Sequence, residues 1–165
     1  MADAMIASTL QRKKPALMLL FGIAVALTCG VLIGVQPAIN AEVSRRLASP
    51  FAAVLFSLLV STAIVLPFAF LQDRAPIGPA IASAPWWVWL GGLAGAAFVT
   101  AGITIAPIMG IALFLMIVVT GQLAAASFAD HFALFGTPKR PMTLSRCLGV
   151  GLALVGVLTF RFGRF

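Results

Sequence analysis

The sequence predicts an all-α, polytopic membrane protein with five transmembrane helices. Hydrophobic residues make up 62% of the 165 residues, charged residues make up only 9%, and the mean hydropathy is +1.12. The charges are also segregated, because Asp, Glu, Lys and Arg are absent from residues 15–41, 47–72 and 75–129. A soluble domain could not bury so much apolar surface, whereas a helical membrane bundle exposes it to lipid.

The first predicted helix covers residues 16–40 and follows a polar N-terminal tail, residues 1–15, which we expect to be cytoplasmic. Its apolar run is far longer than that of a cleaved signal peptide. It also exceeds the roughly 20 residues that cross a bilayer, so we expect the helix to tilt, to bend at Pro37 or to project beyond the membrane.

The second helix is predicted over residues 51–71. Ser49 can cap its first turn, and Pro50 is tolerated where the backbone amide has no helical partner. A linker rich in Pro and Gly follows at residues 72–79. The tryptophans after it are typical of the aromatic belt at a membrane surface; they are Trp86, Trp87 and Trp89.

Residues 86–129 carry no formal charge over 44 positions, about twice the length of one bilayer crossing. We therefore predict a third helix at 86–105 and a fourth at 108–128, with a tight connection indicated by Gly102, Thr104, Pro107 and Gly110. A loop containing Gly136–Arg140 precedes the fifth helix, predicted at 143–160. The transmembrane domain thus spans residues 16–161, and residues 162–165 form a C-terminal tail.

The basic residues favour a cytoplasmic N-terminus. With five spans, seven Lys and Arg residues fall on the side of the N-terminus and four on the other side. Positive charge is enriched on the cytoplasmic side of membrane proteins. The bias is modest, so a single inverted or a dual orientation stays open.

Three uncharged amides lie within or at the end of the apolar segments and are the candidate substrate-binding residues: Gln36, Asn40 and Gln122. Polar side chains at membrane depth are costly and usually face the protein interior or a water-filled path. Pro37, between the first two, removes a backbone donor, and interrupted helices present polar groups to substrates in many transporters. The alternative is that the amides only bond neighbouring helices or end a helix.

Asp130 and His131 follow the fourth apolar segment and are candidates for proton coupling, since histidine titrates near neutrality. The competing interpretation is a solvated helix end. No nucleic-acid partner is expected, because the basic residues are scattered, and we expect no cofactor or metal. The sequence has no HExxH, GxSxG or phosphate-loop motif, so we do not predict an enzyme.

Several segments in succession resemble the short YdcZ-like inner-membrane proteins of the drug/metabolite transporter superfamily. They are Gly34–Ala41, Ser49–Ala53, Pro85–Gly95, Gly121–Leu123, Asp130–Phe132 and Phe135–Gly136. Ala133 departs from the pattern, in which Gly commonly follows Asp-His-Phe. The resemblance implies a five-helix half-unit that pairs with a second copy, in antiparallel orientation as one option, or with a similar five-helix protein.

The sequence therefore indicates a subunit of a transporter that moves a small molecule across the bacterial inner membrane. The alternative function is a non-transporting membrane protein that assembles with or stabilises a partner.

Overall fold

The computed structural model describes residues 2–71 and 77–163, with side chains described for 18–71, 78–79 and 81–163. Within these residues there is no strand, and five helices are long and apolar enough to cross a membrane. These spans are Met18–Leu47, Pro50–Phe70, Trp86–Thr104, Ile111–Phe132 and Leu144–Phe162. The predicted all-α fold with five transmembrane helices is confirmed. Residues 72–76 of the expected linker and residues 164–165 of the expected tail lie outside the described part.

The described helices follow one another in this order: α1 (Ala2–Leu47), α2 (Pro50–Phe70), α3 (Ile77–Ala82), a 3-10 turn (Trp86–Val88), α4 (Trp89–Thr104), α5 (Ala106–Met109), α6 (Ile111–Phe132), a second 3-10 turn (Leu134–Gly136) and α7 (Leu144–Phe162).

The chain divides into two compact units, Met1–Gln36 and Pro37–Phe165, and the division falls inside α1. In the first unit, every side chain from Met18 to Ile33 is exposed. These residues are apolar around the whole helix, which is the surface that lipid accepts.

The end of α1 differs from the sequence-based expectation, because the helix continues past Pro37 and ends at Leu47 instead of near residue 40. Glu42 forms ion pairs with Arg45 and Arg46, three and four residues further along, and such pairs support helical turns. Ala48, with φ of +50°, then ends the helix. The polar residues after Asn40, among them Glu42, Arg45 and Arg46, thus form its last turns.

The starts of α2 and α7 agree with their sequence signals. The Ser49 hydroxyl accepts a hydrogen bond from the Ala52 N–H at 3.2 Å, and Pro50 occupies the first turn of α2. The Thr143 hydroxyl likewise accepts from the Arg146 N–H at 3.4 Å, just before α7. Side-chain capping of otherwise unpaired amides therefore begins both helices.

The connection between α4 and α6 is tight, as predicted. It consists of the single turn α5 and Gly110, whose φ of +90° and ψ of 134° lie outside the usual range of L-residues. The Gly110 carbonyl accepts a hydrogen bond from the Phe114 N–H at 3.0 Å, so the turn leads directly into α6.

The core of the second unit joins α2 to α4. Its buried members are Ala53, Val54, Val99 and Ile103. Next to it the rings of Phe98 and Phe114 stack with centroids 6.2 Å apart, which ties α4 to α6. On α7, a Cβ added at Gly156 would lie 3.8 Å from the Met116 side chain, so the small residue allows α7 to approach α6.

Candidate functional site

The segment Pro37–Asn40 of α1 has a buried residue at each end, Pro37 and Asn40. Pro37 is buried, and a Cβ built on Gly102 of α4 would lie 3.6 Å from its ring and 3.9 Å from the Phe114 ring. The absence of a side chain at Gly102 therefore leaves room for the proline beside α4 and α6. This contact fixes the position of the helical turn that carries Asn40.

Asn40 is the most enclosed of the predicted site residues, with only 7% of its surface exposed. Its side chain makes no hydrogen bond within the described residues. Among those residues, no completely inaccessible side-chain nitrogen or oxygen lacks a partner, so the Asn40 amide atoms keep some accessible surface. A buried amide without a protein partner has unused hydrogen-bonding capacity, which a ligand or water can satisfy.

Gln36 is the last residue of the first unit and is partly buried. It lies one helical turn before Asn40 on α1, and its amide also takes part in no hydrogen bond within residues 2–71 and 77–163. Its role as a substrate-binding residue stays a prediction.

Gln122 lies on α6 and is exposed. Of the 22 residues of α6, eleven precede Gln122 and ten follow it, so the side chain is at the middle of the span. No hydrogen bond of this amide occurs in the described part of the chain. Gln122 is thus an exposed, uncharged polar group at the middle of an apolar span, where polar groups are most costly.

Most hydroxyl groups within the spans bond to a backbone carbonyl of their own helix, as expected for Ser and Thr in apolar helices, whereas Ser44, Ser57 and Ser127 make no side-chain hydrogen bond within the described residues. For example, the buried Thr120 donates to the Met116 carbonyl at 2.7 Å, and Thr100 donates to the Ala96 carbonyl at 2.8 Å. The same bond to the carbonyl four residues earlier is made by Thr28, Ser61, Thr62, Thr104 and Thr159. These groups are therefore poor candidates for a site.

The predicted proton-coupling residues lie at the end of α6 and contact the following loop and α7. Asp130 and Arg146 are 3.5 Å apart, and each side chain is about one third exposed, at 33% and 32%. The Met142 N–H donates to Nδ1 of His131 at 3.0 Å. Because Nδ1 accepts this bond, the neutral ring carries its proton on Nε2. Asp130 and His131 thus contact the residues that follow α6 and the start of α7, and both side chains remain partly exposed.

Two further contacts complete this loop. The Arg140 N–H donates to the Asp130 carbonyl at 2.8 Å, and the Arg146 guanidinium donates to the Arg140 carbonyl at 3.2 Å. Ala133 begins the loop with φ of +52° and ψ of +41°, the left-handed region that glycine enters at little cost. Glycine, which the family pattern has at this position, adopts this backbone conformation more easily than alanine does.

Sequence reasoning missed two features of the second unit. Arg146 pairs with Asp130, and their separation in sequence gave no signal for this contact. An open, apolar groove of about 350 Å³ runs between α6 and α7, and its only sequence signal is the series of small residues on α7. Its lining consists of Leu115, Met116, Val119, Thr120, Ala153 and Gly156.

Over the described residues, no group of three or more His, Cys, Asp or Glu side chains could hold a metal ion.

Five apolar spans with uncharged amides in two of them define a multi-pass membrane protein. The chain belongs to the YdcZ family of drug/metabolite transporters: the family model described as "Putative inner membrane exporter, YdcZ" matches residues 21–159. The resemblance seen in the sequence is therefore confirmed. The chain is also similar to inner membrane protein YdcZ of Escherichia coli (strain K12), with 27% identity over 135 residues, covering 81% of this chain and 90% of that protein. No solved structure matches the chain.

This family membership and the five spans make the protein a multi-pass protein of the inner membrane.

Proposed function

We propose that the protein is one half of a transporter that moves a small molecule across the inner membrane, with two five-helix units forming the path. Gln36, Asn40 and Gln122 supply the uncharged polar groups of that path. The N-terminus lies in the cytoplasm. Membership in an exporter family supports the class of function, and the distribution of basic residues supports the orientation.

The proposal rests on the burial of Asn40 and on the absence of a hydrogen-bond partner for its side chain within the described part of the chain. Only 7% of the residue is exposed, its side-chain amide lacks a partner among the described residues, and the amide atoms keep some accessible surface. A purely structural amide at this depth should be bonded to a neighbouring helix, because an unpaired amide in an apolar environment is costly. An amide that serves a substrate must be free to exchange partners.

The substrate is identified first by thermal stabilisation of the detergent-solubilised protein, using a panel of organic cations, organic anions and neutral metabolites. A compound that binds the folded state raises the apparent melting temperature. Flux of the compound that stabilises the protein is then measured in proteoliposomes for Asn40→Ala, Gln36→Ala and Gln122→Ala. We expect each variant to lose flux, whereas Thr62→Ala, which removes a hydroxyl bonded within its own helix, should retain it.

Unchanged flux in all three amide variants, with normal folding, would contradict the proposed path.

Coupling to protons is tested in the same vesicles with an imposed pH gradient. If Asp130 or His131 carries the proton, Asp130→Asn or His131→Gln should abolish the response to the gradient and leave exchange without a gradient intact. If both variants respond like the parent protein, proton coupling through these residues is wrong.

The second candidate function is a non-transporting protein that assembles with a partner. The exposed Gln122 favours assembly, and the contacts of Asp130 and His131 favour a structural role for this end of α6. Binding of a partner with no flux for any compound that stabilises the protein would support this function over transport.

A further inference from the structure

The single histidine of the chain joins the end of α6 to the residues that lead into α7. His131 is in the last turn of α6 and is partly buried. Its Nδ1 atom accepts a hydrogen bond from the Met142 N–H at 3.0 Å, across eleven positions of the chain. Met142 directly precedes Thr143, whose hydroxyl caps α7. The bond therefore fixes the approach to α7 beside the end of α6.

The bond from Met142 can form only with the neutral imidazole ring. A backbone N–H is a donor, so Nδ1 must present a lone pair, and the proton of the neutral ring then lies on Nε2. When the ring is protonated, both ring nitrogens are donors, and Nδ1 and the Met142 N–H oppose each other. Histidine is the side chain that ordinarily changes charge between about pH 5 and 8. Acidification within this range would therefore break the contact.

The other polar contacts at this end of α6 contain no group that ordinarily titrates in the same range. The Arg140 N–H donates to the Asp130 carbonyl at 2.8 Å, and the Arg146 guanidinium donates to the Arg140 carbonyl at 3.2 Å. Asp130 and Arg146 also form an ion pair at 3.5 Å. Carboxylates ordinarily titrate below this range and guanidinium groups above it. Protonation of His131 would thus release Met142 and leave residue 140 held.

The surroundings of His131 favour each protonation state in part. Asp130 precedes it on α6, but adjacent helical residues point about 100° apart, and this carboxylate is paired with Arg146. The carbonyl end of a helix favours a cation in its last turn. The neutral ring is favoured by the Met142 N–H and by the positive charges of the loop and α7. The charged and titratable groups of these two segments are Lys139, Arg140, Arg146 and Cys147, whereas α4 and the 3-10 turn before it carry none.

We propose that His131 is a pH-sensitive latch: the neutral ring holds residues 141–143 against the end of α6, and protonation of the ring releases them. The latch concerns the conformation of the connection between α6 and α7. It needs neither transport nor a second copy of the chain, so it is independent of the proposed function.

The first test follows the ring and the amide by NMR in the full-length protein in lipid nanodiscs, between about pH 5 and 8. Isotope-labelled histidine gives the ring signals of one residue only, and the amide signal of Met142 among the labelled methionines is assigned with Met142→Leu. We expect Nδ1 to be the unprotonated nitrogen of the neutral ring, and the Met142 amide signal to shift with the same midpoint as the ring. A proton on Nδ1 of the neutral ring, a ring that stays neutral throughout, or a Met142 amide that does not follow the ring would each overturn the proposal.

The second test measures hydrogen exchange at the Met142 amide, relative to an unstructured peptide of the same local sequence at each pH. Protection should fall about 2- to 13-fold on acidification, which corresponds to the loss of one net hydrogen bond. His131→Asn is the matched variant, because it places an amide oxygen near the position of Nδ1 and does not titrate, so protection should persist at low pH. His131→Leu removes the acceptor, so protection should be low at every pH. Protection that still falls with pH in His131→Asn, or that is complete in His131→Leu, would contradict the latch.

Two comparisons separate the latch from its alternatives. In Asp130→Asn the Met142 amide should still respond to pH; if the response disappears there and persists in His131→Asn, the ion pair with Arg146 is responsible and the latch is wrong. Flux in proteoliposomes separates it from proton coupling. A normal response of flux to a pH gradient in His131→Asn would refute coupling through His131 and leave the latch intact, whereas a Met142 amide that ignores pH in the unsubstituted protein would refute the latch and leave transport intact.

Discussion

Substitution of Gly102 tests the packing that positions Asn40. The Cβ of Gly102→Ala would lie 3.6 Å from Pro37, an ordinary van der Waals distance, so alanine fits. Replacing glycine within a helix by alanine gains about 0.8–1.0 kcal/mol. Gly102→Val adds methyl groups that extend about 1.5 Å further. They meet the buried Pro37 or the Phe114 ring, and overpacking of this kind costs about 1–3 kcal/mol.

The assay is thermal unfolding of the detergent-solubilised protein, monitored by its intrinsic tryptophan fluorescence. One kcal/mol corresponds to about 2–4 °C for a chain of this size. We therefore expect Gly102→Ala to raise the melting temperature by about 2–4 °C and Gly102→Val to lower it by about 2–12 °C. Gly95 is the matched control on the same helix, because a Cβ added there would meet no atom of the described residues within 4 Å. If Gly102→Val is as stable as Gly95→Val, Pro37 does not pack on α4 in this way.

Three further predictions concern the turns and the end of α6. Ala133→Gly should raise the melting temperature by about 1–4 °C, because glycine relieves roughly 0.5–1 kcal/mol of left-handed strain, whereas Ala129→Gly, within the regular helix, should lower it. Gly110→Ala should cost about 1–3 kcal/mol, since φ of +90° is strained for alanine. In a double-mutant cycle of Asp130→Asn and Arg146→Gln, the coupling energy should be about 0.2–1 kcal/mol, because the pair is partly exposed.

These three outcomes are decided by unfolding curves in the same detergent. Equal effects of glycine at 133 and 129 would show that Ala133 is not left-handed. A stable Gly110→Ala variant would show that the turn before α6 adopts another conformation. A coupling energy near zero in the double-mutant cycle would mean that Asp130 and Arg146 do not interact in the folded protein.

The helix starts were predictable because their signals are local. Ser49 with Pro50, and Thr143, each cap the helix that follows, and one or two residues suffice to identify such a cap. Gly110 was similarly informative, since a turn between two membrane helices needs a residue that tolerates positive φ. The number and order of the spans follow from hydropathy alone.

The contacts of the site residues were not predictable, because they depend on which helices become neighbours. The sequence placed Asn40 at the end of its helix, but α1 continues to Leu47, through the ion pairs of Glu42, and leaves Asn40 within it. Gln122 is exposed on α6, and only packing decides which side chains of that helix are exposed. Arg146 reaches Asp130 because the loop from Ala133 folds back, a geometry that no sequence spacing encodes.

The central claim is that the Asn40 amide lies beside a water-accessible path within the membrane. In a protein without its native cysteines, Asn40→Cys is treated in intact membranes with a charged, membrane-impermeant thiol reagent. Ile39→Cys is the control, because it lies at the same depth but is 59% exposed on the outer surface of the chain. We predict that Asn40→Cys reacts, that a compound identified in the thermal screen slows its reaction, and that Ile39→Cys stays unreactive. If Asn40→Cys is as unreactive as Ile39→Cys in a correctly folded protein, no such path reaches Asn40.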